Sequence, residues 1–186
     1  GVELNGKTFG VVGLGRIGTE VARMASGGLG MNVCFFDPVV PADGQRQDSY
    51  MRASTLCELL GQSDFVALCL PLTKDTSGLI GAEELSLMKP TAFLVNTARG
   101  GLVDEDALYE ALANGRIAGA AADAFVREPV PADHPLLSLR NFIATPHVGG
   151  ATREAMRRMS VDMADEILRV LRGERPQFAV NPEVYK

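Results

Sequence analysis

The chain has 186 residues, of which 46% are hydrophobic and 22% charged, with a formal net charge of -5. That balance describes one globular domain with a sizeable core and excludes a disordered chain. Its charges are scattered without acidic or basic blocks, which excludes a nucleic-acid surface built from clustered Lys and Arg.

No apolar run approaches the ~20 residues that span a bilayer, and no signal peptide opens the chain, so a cytoplasmic setting away from membranes is expected. The three cysteines, Cys34, Cys57 and Cys69, lie in apolar runs without C-x-x-C spacing. They are expected to be buried reduced thiols, with no metal site.

Short apolar runs alternate with amphipathic segments, the pattern of a parallel sheet covered on both faces, a doubly wound α/β fold. Residues 9–13 form a buried strand ending in glycines, and a helix follows from Ile17 to about Ser26. Residues 32–37 (N-V-C-F-F-D) form the second strand. Residues 39–54 read as loop with room for a short helix. A short helix over 55–62 takes Thr55 as its N-cap, and a strand over 65–70 stops at Pro71.

Residues 82–88 form a helix and 92–96 (A-F-L-V-N) a strand. Asp104 caps a helix reaching about Asn114, with Gly115 as its left-handed end. Residues 118–123 and 142–145 are the last two strands. The longest helix, 151–172, carries a stripe of Met156, Met159, Met163, Ile167 and Val170 suited to core or interface packing. One domain is expected to occupy 1–173, with 174–186 as a C-terminal tail.

Gly13-Leu14-Gly15-Arg16-Ile17-Gly18 fits G-x-G-x-x-G between a strand and a helix. Gly13 permits the tight turn, Gly15 lets the backbone approach a pyrophosphate, and Gly18 lets the helix pack against the strand. The free N–H groups of the helix start then face the phosphates. Asp37, at the end of the second strand, can accept the ribose hydroxyls. Its charge would repel a 2′-phosphate, which favours NAD over NADP.

Arg99, Glu128 and His147 stand in turns after strands, the edge of an open parallel sheet where ligands bind. Together they suit hydride transfer to a 2-oxo acid. His147 would give the carbonyl oxygen its proton, Glu128 would hold the imidazole in one tautomer, and Arg99 would grip the substrate carboxylate or oxo group. His134, in a proline-rich loop, is expected on the surface.

The ordered segments G-L-G-R-I-G, N-T-A-R-G-G, D-A-F-x-x-E-P and T-P-H-x-G-G closely resemble those of the D-isomer-specific 2-hydroxyacid dehydrogenases, over essentially the whole chain. The resemblance implies a Rossmann domain in which Arg99, Glu128 and His147 are catalytic. It also implies that Arg16 and Ile17 hold the pyrophosphate through their backbone and that Leu70 and Pro71 line the adenine side. Thr76 becomes a cofactor contact, and Thr97, Ala98, Asp123, Gly149 and Gly150 surround the nicotinamide. Cys69 departs from the family, many of whose members carry His there.

By the same resemblance, the small substrate-binding domain is largely absent and the tail would return to it, so weak NAD binding and little turnover are expected of this chain alone. A small 2-hydroxy or 2-oxo acid is the implied partner, and a homodimer formed through the cofactor domain the implied assembly. Two rivals share the core: an NAD-sensing corepressor-like module without catalysis, and the NAD domain of a hydrolase or amino-acid dehydrogenase.

Overall fold

The computed structural model describes residues 1–40 and 50–185. The chain divides into two compact units, Gly1–His147 and Val148–Lys186.

The first unit is built on a seven-stranded parallel sheet. Its strands are β1 (Thr8–Val12), β2 (Asn32–Phe36), β3 (Met51–Arg52), β4 (Phe65–Leu68), β5 (Phe93–Asn96), β6 (Gly119–Ala122) and β7 (Phe142–Ala144). They lie in the order β3-β2-β1-β4-β5-β6-β7, every pairing parallel. The chain runs outward from β1 in one direction and, from β4, in the other. The crevice at the carboxyl ends of β1 and β4 is therefore the place where such a sheet takes a ligand.

The strands are short continuous apolar runs because both faces are covered. On one face Val11, Val33 and Phe35 pack with Ala22 and Ala25 of α1 (Arg16–Leu29). On the other, Val12, Cys34, Val66, Leu68 and Leu94 join residues of α2 (Leu56–Gln62), α3 (Ala82–Leu87) and α4 (Glu105–Ala113). Burial of these side chains contributes roughly 1.5–3 kcal/mol each relative to exposure. Both expected caps form: Thr55 accepts from Glu58 N, and Asp104 from Asp106 N and Ala107 N.

Several expectations change. The stretch expected as loop over 39–54 contains β3; the helix proposed there falls on residues outside those described. Two residues of backbone pairing, Cys34 with Met51 and Phe35 with Arg52, form this edge strand without any side-chain alternation that would announce it. Helix α1 runs on through Gly27 and Gly28 to Leu29, closed by left-handed Gly30. Cys57 is exposed, on the outer face of α2, whereas Cys34 is buried. His134 is half-buried against Phe125, with ring centroids 5.5 Å apart.

The second unit holds the long helix α5 (Arg153–Leu171), capped by Thr152 and followed by Gly173 at φ 75°. Glu166 accepts from Gln177 N at 2.7 Å and Phe178 N at 3.1 Å, folding the tail back on the helix. None of the described residues of α5 is buried. Among the described residues, no helix is long and apolar enough to cross a membrane.

Candidate active site

The glycine turn fits the wrapping of a pyrophosphate. Gly13 has φ 92°, a conformation that L side chains rarely adopt, and its N–H donates to Phe36 O. A Cβ on Gly18 would collide with the Gly13 carbonyl, so the helix can meet the strand only through glycine. A Cβ on Gly15 would meet nothing within 4 Å, which leaves that backbone open to a ligand. Gly15 caps α1 without a side chain, so the N–H groups of the first turn face outward with the positive end of the helix dipole.

Asp37 ties this turn to the end of β2. Its Oδ2 accepts from Leu14 N at 2.8 Å, and its Oδ1 from Val39 N at 2.8 Å and Val40 N at 3.2 Å. An ionised carboxylate has further lone pairs, so these bonds fix its aim and leave capacity for a ribose hydroxyl.

A cleft of about 700 Å³ opens beside the turn, lined by Arg16, Ile17, Leu70, Pro71, Thr97, Ala98 and Arg99 among others. Six residues predicted to touch a cofactor thus share one surface with Arg99. Cys69 also lines it, and burial pushes its thiol up to about 11, so it stays a neutral wall. Thr76 is turned toward its own loop: its hydroxyl donates to Pro71 O at 2.8 Å and accepts from Thr73 N. Gly149 and Gly150 belong to the second unit.

Further along the same sheet edge, a cleft of about 520 Å³ is lined by Asp123, Glu128 and His147 with Phe125, Pro129, Val130 and Pro146. Glu128 Oε2 lies 2.8 Å from His147 Nδ1, and Glu128 Oε1 accepts from Phe125 N at 3.0 Å. The His147 bond and the Phe125 amide, with lesser help from the charges of His147 and Arg99, hold the Glu128 carboxyl below the usual range against the opposing effect of desolvation. An ionised carboxylate only accepts, so Nδ1 carries the hydrogen of that bond and Nε2 is the ring nitrogen turned away from it.

His147 sits at φ 54°, unusual for a non-glycine residue, and its N–H donates to Thr145 O at 3.0 Å. Arg99 is placed by buried Asn96, whose Oδ1 accepts from Ala98 N while its Nδ2 donates to Arg99 O at 2.8 Å. Sequence reasoning passed over Asn96, Phe125 and Glu105 as site residues. Asn96 was legible in principle, as a polar residue ending an apolar strand.

The sheet order, the glycine turn and the clefts at its edge define a dinucleotide-binding α/β domain. Residues 1–149 match the family described as D-isomer specific 2-hydroxyacid dehydrogenase, NAD binding domain, and the chain belongs to that family. It is 47% identical to a D-3-phosphoglycerate dehydrogenase of Methanocaldococcus jannaschii over 97% of this chain and 34% of that protein. It is 45% identical to a glyoxylate reductase of Korarchaeum cryptofilum over all of this chain and 55% of that protein.

A crystal structure of D-lactate dehydrogenase with NAD+ from Lactobacillus jensenii superposes with a TM-score of 0.88 at 32% identity, covering 96% of this chain and 57% of that one. The chain thus spans between a third and a little over half of the relatives it matches. Its cofactor is NAD.

Proposed function

We propose that the protein containing this chain is an NAD-dependent enzyme that interconverts a D-2-hydroxy acid and its 2-oxo acid, with Arg99, Glu128 and His147 as its catalytic residues. The observation that carries this reading is the 2.8 Å bond between Glu128 and His147 on the sheet edge that also bears Arg99 and the glycine turn. Bound NAD supplies or takes up the hydride at the substrate's second carbon.

The chain's own residues do the rest. Gly13, Gly15, Gly18 and the amides of Arg16 and Ile17 hold the pyrophosphate; Asp37 takes the ribose; Leu70 and Pro71 cover the adenine; Thr97, Ala98 and Asp123 flank the nicotinamide. Glu128 keeps the hydrogen on His147 Nδ1, so Nε2 delivers a proton to the carbonyl oxygen during reduction and removes it during oxidation. The fixed fork of Arg99 grips the substrate carboxylate and polarises the oxo group. The cytoplasm and a homodimer joined through this domain belong to the same reading.

The test is fluorescence titration of this chain with NADH, then NADH consumption by the full-length protein with glyoxylate, hydroxypyruvate or pyruvate. Quenching or enhancement of NADH emission together with consumption of at least one 2-oxo acid is expected. NADH binding without turnover of any of them would discard the catalytic reading.

A further inference from the structure

Behind the candidate catalytic cleft lies a polar cluster that the proposed mechanism does not use. Glu105, the first residue of α4, points its carboxylate away from its own helix. Its Oε1 accepts from Val126 N at 2.9 Å, and its Oε2 lies 3.3 Å from His134 Nε2. The two side chains are only 21% and 15% exposed. They come from segments 29 residues apart, so the contact is tertiary.

The tautomer of His134 follows from its surroundings. Its Nδ1 is buried and, among the described residues, without a hydrogen-bond partner. A hydrogen placed there would be a buried unpaired donor beside an unused carboxylate. The hydrogen therefore belongs on Nε2, donating to Glu105, and the edge of Phe125 meets the imidazole.

The backbone that Glu105 holds is next to the backbone that aims Glu128. Val126 N goes to Glu105, and the preceding N–H, of Phe125, goes to Glu128 Oε1. Gly100, next to Arg99, packs on the other side: a Cβ there would run into the Phe125–Val126 peptide. Two successive peptides thus link the site: the Phe125–Val126 peptide touches Gly100 beside Arg99 and bonds to Glu105, and the Ala124–Phe125 peptide bonds to Glu128.

We propose that Glu105 and His134 are positioning residues: they clamp the Phe125–Val126 peptide so that Glu128 stays within bonding distance of His147 and beside the Arg99 turn. The consequence for turnover rests on the catalytic reading above; the geometric claim does not.

The chain has two histidines, so replacing His134 leaves His147 as the lone imidazole and its nitrogen-15 resonances need no assignment. Wild type is expected to show His147 with its hydrogen held on Nδ1. His134→Gln, which keeps a donor for Glu105, should preserve that signature; His134→Leu should shift it toward the mixed tautomers of free imidazole. In the full-length protein, His134→Leu should lower kcat about 10–100-fold, the usual loss when an orienting partner is removed, with KM for NADH unchanged.

Should His134→Leu fail to fold, Glu105→Asp, too short to reach both partners, replaces it with the same expected outcomes. Retention of the Nδ1 signature and of kcat in a folded His134→Leu variant, whatever its melting temperature, overturns the proposal, as does a wild-type His147 without that signature. A lost signature in a protein that reduces no 2-oxo acid would sink the catalytic reading and leave the clamp standing.

Discussion

Thr145 donates its hydroxyl to Asp123 Oδ1 across 2.5 Å, tying the end of β7 to the end of β6. Asp123 is almost fully buried, and its own N–H bonds to Asn96 O at the end of β5. The turns that carry Arg99, Glu128 and His147 leave from these three neighbouring strand ends. Thr145→Val keeps the shape and removes the donor. A loss of about 0.5–1.5 kcal/mol is expected, the usual net contribution of a hydrogen bond. Urea unfolding measures it, and the NADH dissociation constant should rise with it.

His147→Gln removes the largest influence on the Glu128 carboxyl. With that bond gone, Glu128 should titrate closer to an ordinary glutamate, so its pKa rises relative to wild type. Carboxyl carbon-13 shifts followed through acid report the change directly. In the full-length protein kcat should fall by about 10²–10⁴-fold, the span attributed to a positioned general acid. Affinity for NADH should hold, since Gln keeps the cleft wall.

Gly18→Ala places a methyl against the Gly13 carbonyl. Either the helix moves off β1 or the turn opens, and overpacking of this kind costs about 1–3 kcal/mol. The expected result is a lower melting temperature together with loss of NADH fluorescence change. Gly15→Ala, whose methyl meets no protein atom, should leave stability near wild type while weakening NADH.

Asp64 secures the far end of the sheet. Its Oδ2 accepts from Thr8 N and its Oδ1 pairs with Lys89 Nζ, each at 2.9 Å. Burial pushes its carboxyl up, but the Thr8 amide and Lys89 together outweigh that, and the net shift is downward. A carboxyl lowered in the folded state adds stability above its unfolded pKa, ~3.9 for aspartate, and loses it as pH falls through the folded value. Asp64→Asn should therefore reduce stability at neutral pH and flatten its decline in acid, as urea midpoints between neutrality and the acid limb would show.

Much of this was legible beforehand because a doubly wound sheet writes itself locally. Apolar runs marked six of the seven strands, four of them closed by glycine or proline, and Thr55 and Asp104 announced their helices. Strand β3 was illegible because two exposed residues paired through backbone carry no pattern. The edge position of Arg99, Glu128 and His147 followed from strand–turn order, while the 2.8 Å contact needed coordinates. The pairing of Glu105 with His134 was hidden for the same reason. Glu105 drew no reading and His134 read only as a surface residue of a proline-rich loop; the packing of α4 against the 125–134 loop is what unites them.

All seven strands run in the same direction, so none is joined to its neighbour by a hairpin. The contacts of the candidate site are consequently remote in the chain, with Glu128 and His147 separated by 19 positions and the last strand, β7, lying between them. Each such pairing surrenders chain entropy before it forms. Because β7 lies between Glu128 and His147, their contact closes around that strand and registers its arrival beside β6.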